Sequence, residues 1–278
     1  MASAIAITWI GSLIGCRLTG VEITDLQARA VAALLITAAY LPLPLYLHRK
    51  WNVALRDSSL CVYWAALFWI VLPFPVDIAA RLGRAFPLRD GYLARWDVLA
   101  GVDVTDAVHW ASGNPAGQVL NACYALLTPL LVVAFLVPGF TGRVLAAKRV
   151  LVANLAAFAI GLPIFALVPA VGPWVLLHIS PRPDQLACQA TVEQIRAAEI
   201  YAHRPAGIIC FPSFHVMWAI LSAAALWPVR WLRVPAMVVA LAIIASTMTT
   251  GWHYFSDVVA GLLLAAAAMG VARLLIPR

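Results

Sequence analysis

Charge is what this sequence is short of. Of 278 residues, 11% are Asp, Glu, Lys or Arg, where a soluble domain carries about 25%. That scarcity, with 64% hydrophobic residues and a mean hydropathy of +0.91, excludes a soluble globular enzyme, a disordered chain and a nucleic-acid-binding domain. Short alternating segments are lacking too, which excludes a membrane barrel. There is no low-complexity tail, no internal repeat, and no CxxC or Cys/His cluster that would suggest a metal site. What the chain does have is long, continuous apolar runs, the mark of an all-α polytopic membrane bundle.

An apolar helix needs roughly 20 residues to cross the hydrocarbon core. On that basis we expect eight spans, at 2–20, 29–47, 59–80, 116–138, 150–171, 212–228, 234–252 and 256–275. Orientation follows from the basic residues of short loops. Arg49, Lys50 and Arg56 follow the second span, Arg143, Lys148 and Arg149 the fourth, Arg230 and Arg233 the sixth, and Arg273 and Arg278 the last. These ten face a single acid, Asp57, whereas the opposite face holds nine basic residues and eleven acids. Both termini are therefore expected in the cytoplasm, with the longer loops 81–115 and 172–211 outside. Within 81–115, Leu88, Tyr92, Leu93, Trp96, Leu99 and Val102 recur at roughly helical spacing among Arg89, Asp90, Arg95 and Asp97. This reads as an amphipathic helix in the outer interface.

Gly11 and Gly15 form a GxxxG in the first span, a pattern that permits close helix packing and a homodimer. Five cysteines are present. Cys16, Cys61 and Cys123 fall in or beside apolar spans and read as buried thiols. Cys188 and Cys210 share the outer loop, where a disulfide is allowed, though spacing alone does not fix its geometry.

Ionisable groups at the rim of a membrane bundle are costly and point to function. Two clusters stand out. In Phe211-Pro212-Ser213-Phe214-His215, Pro212 suits the first turn of the sixth span. The exposed N–H groups of such a helix start form a natural anion site. In Gly251-Trp252-His253-Tyr254-Phe255-Ser256-Asp257, His253 and Asp257 lie four apart and share a face if helical. Asp257 would then hold one ring nitrogen and leave the other free to attack. The alternative for each cluster is plain: an interfacial histidine, or an acid at a helix N-terminus favoured by the dipole. The topology puts His215 and His253 at the same membrane face.

FPSFH followed by HYFSD-VVAG resembles the second and third signature motifs of the type-2 phosphatidic acid phosphatase superfamily, which includes lipid phosphate phosphatases, vanadium haloperoxidases and inositol phosphorylceramide synthases. The Pro-Ser-Phe-His form, Val168 to Trp174 upstream, and Pro-Leu-Arg-Asp at 87–90 look closest to the inositol phosphotransferase branch. The resemblance covers roughly 87–265. It implies N-terminal helices over 1–86 and a catalytic domain over 87–278 with a six-helix phosphatase-type core. It also implies that His253 is the nucleophile that becomes a phosphohistidine, Asp257 its orienting carboxylate, His215 the general acid and Ser213 a phosphate ligand. No metal or organic cofactor is called for.

Two departures stand against the family pattern. Where the phosphatase form of the third motif has Ser-Arg, this chain has Ser246 and Thr247. The first motif, Lys-x6-Arg-Pro, is not intact: Arg182-Pro183 and Arg204-Pro205 are present without the lysine. Arg182 and Arg204 are the candidate substrate-binding cations, with Arg196 a further one. Fewer cations suit a phosphodiester or pyrophosphate-type lipid better than a monoester, which carries up to two charges.

The expected function is an integral membrane lipid phosphatase or phosphotransferase, acting on a phospholipid or prenyl phosphate at the outer face and passing the group to water or an alcohol. The sparse lysine points to a bacterial inner membrane with the site facing the periplasm. The other class considered is a transporter or channel with a His/Asp proton relay. Its site would lie near the midplane, whereas these residues cluster at a rim. A serine protease built on Ser213 lacks a glycine-flanked nucleophile, and a haloperoxidase lacks its arginines.

Overall fold

The computed structural model describes residues 10–11, 14–18, 26–40, 42, 46, 53–197 and 207–277, and among them there is no strand. Helices α1 (Leu26–Tyr40) and α2 (Val53–Val71) come first. The chain bends by 40° on the way into α3 (Pro73–Leu82), where Pro73 and Pro75 interrupt the backbone donors. The span expected at 59–80 is thus a bent pair.

The outer segment expected to hold one interfacial helix holds two, α4 (Asp90–Leu99) and α5 (Val104–Gly113). Asp103 ends the break between them by accepting from Thr105 N–H at 2.7 Å, as an N-cap does. On α4 the usual amphipathic sense is inverted. Tyr92, Trp96 and Leu99 are exposed, while Asp90 and Asp97 are buried. A helix lying against lipid presents its apolar face outward, and its acids are then free to serve the interior.

Asn114 caps α6 (Pro115–Ala122), accepting from Ala116 N–H. A short 3-10 turn then joins α6 to α7 (Leu127–Phe140). Next come α8 (Val144–Leu167), the outer helix α9 (Pro183–Ala197), α10 (Phe214–Leu226), α11 (Arg233–Thr249) and α12 (Phe255–Leu275). Among the described residues, three helical stretches are long and apolar enough to cross a membrane: Pro115–Phe140, Val144–Leu167 and Phe255–Leu275, or four with the bent pair. They coincide with the spans expected at 116–138, 150–171 and 256–275. α10 and α11 are apolar but shorter. Most of the first expected span lies outside the described residues. Where it is described, a Cβ on Gly15 would stand 2.8 Å from Ile78 Cδ1 of α3, so this glycine packs within its own chain.

The core is α8, α10 and α12, with α7 and α11 around them. Between lipid-facing helices, close packing and hydrogen bonds replace the hydrophobic drive. Phe158 of α8 meets Phe214 of α10 at 4.7 Å and Phe68 of α2 edge-on at 5.2 Å between ring centroids. Asn154 of α8 is buried and accepts from Trp218 Nε1 at 2.9 Å, a polar tie across the α8–α10 seam. On the other seam, a Cβ on Gly261 of α12 would stand 2.5 Å from the Ser213 carbonyl oxygen and 3.0 Å from Val216 Cβ. Only glycine lets α12 approach the start of α10 so closely.

Candidate active site

The turn that carries His253 is set by Thr247, whose carbonyl accepts from the N–H groups of both Trp252 and His253 at 3.1 Å. Gly251, at φ +73°, supplies the left-handed residue this reversal needs. Thr247 stands where the resemblance calls for an arginine. Its side chain is fully buried and bonded back to the Ile244 carbonyl, so no cation occupies that place.

Asp257 sits in the first turn of α12 and is fully buried. Its Oδ2 accepts from Tyr254 N–H at 2.8 Å, and it also meets Cys210 Sγ at 3.1 Å and His253 Nδ1 at 3.3 Å. One oxygen thus both bonds the N-cap N–H of α12 and faces the histidine. Oδ1 has no partner among the described residues, a costly state for a buried carboxylate oxygen. Nδ1 of His253 is thus turned to Asp257, and Nε2 is the other ring nitrogen.

His215 opens α10, and its ring centroid lies 5.8 Å from that of His253. The structure thus brings together the two histidines expected at one face. Pro212 is not in the first helical turn, contrary to expectation. It precedes the N-cap and follows Phe211 through a cis peptide. The N-cap is Ser213, whose Oγ accepts from Val216 N–H at 3.3 Å, while its own N–H donates to the Asp257 carbonyl at 3.1 Å. Among the described residues, the backbone N–H groups of Phe214 and His215 meet no acceptor, leaving two first-turn donors beside the histidine.

The remaining candidates divide. Arg182 places its guanidinium 5.9 Å from the Trp252 ring and pairs with Asp184 at 3.1 Å, at the edge of the site. Arg196 is spent on the carbonyls of Gly83 and Phe86 and does not reach the histidines. Arg204 lies outside the described residues. Cys188 and Cys210 are both free thiols. Burial pushes the Cys188 thiol up to about 12. Although the sequence shows no metal-ligand spacing, Cys210, His253 and Asp257 bring ligand atoms within 4.8 Å of one another. They are the residues here that could hold a metal ion.

Several residues at the site had no functional signal in the sequence. Tyr124 stacks on His215 at 4.5 Å, with its hydroxyl 3.5 Å from Nδ1. Tyr124, Trp252, Cys188, Cys210 and the two histidines enclose a space no larger than one water molecule. Asp97 accepts from the N–H groups of Phe255 and Ser256 at 2.7 and 2.8 Å, clamping the first turn of α12 to α4. Asp90 accepts from Val171 and Gly172 N–H and from the Tyr254 hydroxyl. Burial pushes the Asp90 carboxyl up, while the two backbone donors pull it down. Asp97 was legible only as a polar residue of an amphipathic helix, and Asp90 otherwise only as the end of the Pro-Leu-Arg-Asp stretch.

This is an all-helical membrane protein with a buried site of two histidines and a carboxylate at one end of the bundle. Residues 91–271 match the family model of the PAP2 superfamily, and the chain belongs to that superfamily, whose members are generally phosphatases. No curated protein and no solved structure matches it.

Proposed function

We propose that the protein transfers a phosphoryl or phospho-head group from a membrane lipid to water or an alcohol through a phosphohistidine on His253. The observation that carries this reading is the pairing of His253 with Asp257 behind it and His215 5.8 Å in front. His253 Nε2 attacks phosphorus, an N–P bond forms, and the bond to the leaving alkoxide breaks. His215 gives its proton to that alkoxide. Water or an acceptor alcohol then attacks the phosphohistidine, returning a proton to His215 and freeing His253. Asp257 stabilises the charge that grows on the His253 ring. The negative substrate favours the protonated form of His215.

Ser213, the open N–H groups of Phe214 and His215, and Arg182 are the groups offered to the phosphate. With Thr247 in place of the family arginine and Arg196 engaged elsewhere, a diester or pyrophosphate-type donor suits the site better than a monoester. This agrees with the inositol phosphotransferase branch. On the eight-span reading, the site faces outward from a bacterial inner membrane and both termini lie in the cytoplasm.

The test is lipid mass spectrometry on the purified protein and its His253→Ala variant. Both receive phosphatidate, phosphatidylinositol and prenyl phosphates, with and without an alcohol. Product that requires His253 and an acceptor identifies a transferase, and product without an acceptor a phosphatase. Turnover of a monoester far above any diester overturns the donor assignment. Product formed equally by His253→Ala overturns the mechanism.

A further inference from the structure

A cavity lies at the other end of the bundle from the histidines. It measures about 310 Å³ and opens between α8, α10 and α12. Asp257 and Arg273 bracket the length of α12. At 1.5 Å rise per residue, sixteen residues put this cavity about 24 Å from the catalytic rim. Its walls are apolar, with Val150, Leu221 and Met269 among them, and Arg143, Arg149 and Arg273 also line it.

Among the described residues, no acid lines this space. Asp57, the acid of this end, is already paired with Lys148 at 2.7 Å and Arg56 at 2.8 Å. Arg143 and Arg149 are held in place through Nε, on the carbonyls of Pro228 and Ile276. Arg143 Nη1 is also spent, on Thr141. Among the described residues, Arg143 Nη2 and both terminal nitrogens of Arg149 remain undirected, and Arg273 is exposed. Three guanidinium groups around an apolar cleft, with no counter-charge among the described residues, are costly beside hydrocarbon unless an anion joins them. A head group alone would leave the apolar wall unused, and an acyl chain alone would leave the arginines unmatched.

We propose that this cavity binds one anionic phospholipid of the adjoining leaflet, its phosphate against Arg143, Arg149 and Arg273 and the start of an acyl chain along α8 and α12. The site is separate from the catalytic one and takes a structural or regulatory lipid, not the substrate. Basic clefts between helices at the positive face of a membrane recognise such lipids. The size fits the lower end of the ligand-pocket range, about 300–1,000 Å³.

The experiment is native mass spectrometry of the full chain released from detergent, titrated with phosphatidylglycerol or with phosphatidylcholine of the same acyl chains. Phosphatidylglycerol should bind at least tenfold more tightly. Arg273→Gln, at an exposed position, should weaken phosphatidylglycerol roughly fivefold and leave phosphatidylcholine unchanged. Ala224→Trp, which fills the cleft from an exposed wall position, should weaken it further. Catalytic turnover in detergent-solubilised substrate should survive both changes and so reports folding. Equal binding of the two lipids, or a preference untouched by either variant, overturns the proposal.

Discussion

At the scale of single residues, the site depends on which protonation states burial allows. Burial lowers the pKa of His253 to about 4, against about 6.5 for a solvated imidazole. The neutral ring is the nucleophile, so lowering its pKa extends the active range toward acid. We expect the acid limb of kcat/KM, on which His253 takes up a proton, to lie near pH 4, while the alkaline limb reports loss of the proton from His215. An acidic limb centred near 6.5 would contradict this. Asp257→Asn keeps the shape of the pair but removes its charge, and the loss in kcat should approach roughly ten-thousandfold, read by product mass spectrometry. Tyr124→Phe keeps the ring stacked on His215 and deletes a hydroxyl 3.5 Å from Nδ1. A loss of about 1 kcal/mol, or roughly fivefold in kcat, with KM unchanged, is expected.

At the scale of elements, the site exists because α10 and α12 start side by side. Gly261 allows that approach, and α4 pins it. In Gly261→Ala the new methyl meets the Ser213 carbonyl, a backbone atom that cannot swing away. The start of α10 must shift, separating His215 from His253. We expect overpacking of about 1–3 kcal/mol, a lower Tm, and a larger loss of kcat than of stability. Asp97→Ala removes the acceptor for two first-turn N–H groups of α12. Loss of such a cap costs about 0.5–2 kcal/mol, and thermal denaturation should show it. Hydropathy made α8 and α12 legible, because a continuous apolar run reports its own length. The roles of Asp90 and Asp97 were not legible. An acid on an amphipathic helix reads as solvated until the structure shows its apolar face turned outward.

At the scale of the whole molecule, the two ends of the bundle differ in kind. One gathers histidine, serine and carboxylates into a tight, nearly closed space. The other gathers arginine around an open apolar cleft. The sequence by itself determined the membrane class and the basic asymmetry. It also determined the pairing of FPSFH with HYFSD, because hydropathy, net charge and motif spacing are properties of the chain read in order. Tertiary structure decided that the Thr247 carbonyl holds the His253 turn, and that Cys210 and Tyr124 join the site. It likewise decided that Arg196 is spent elsewhere and that Arg143, Arg149 and Arg273 share one cavity. Cys210 and Tyr124 lie far from His253 in the chain, as Arg273 does from Arg143 and Arg149, and no local pattern links them. Arg143 and Arg149 share a cavity with Arg273 only because α8 and α12 pack closely, and Tyr124 meets His215 only because the turn before α7 packs against the start of α10.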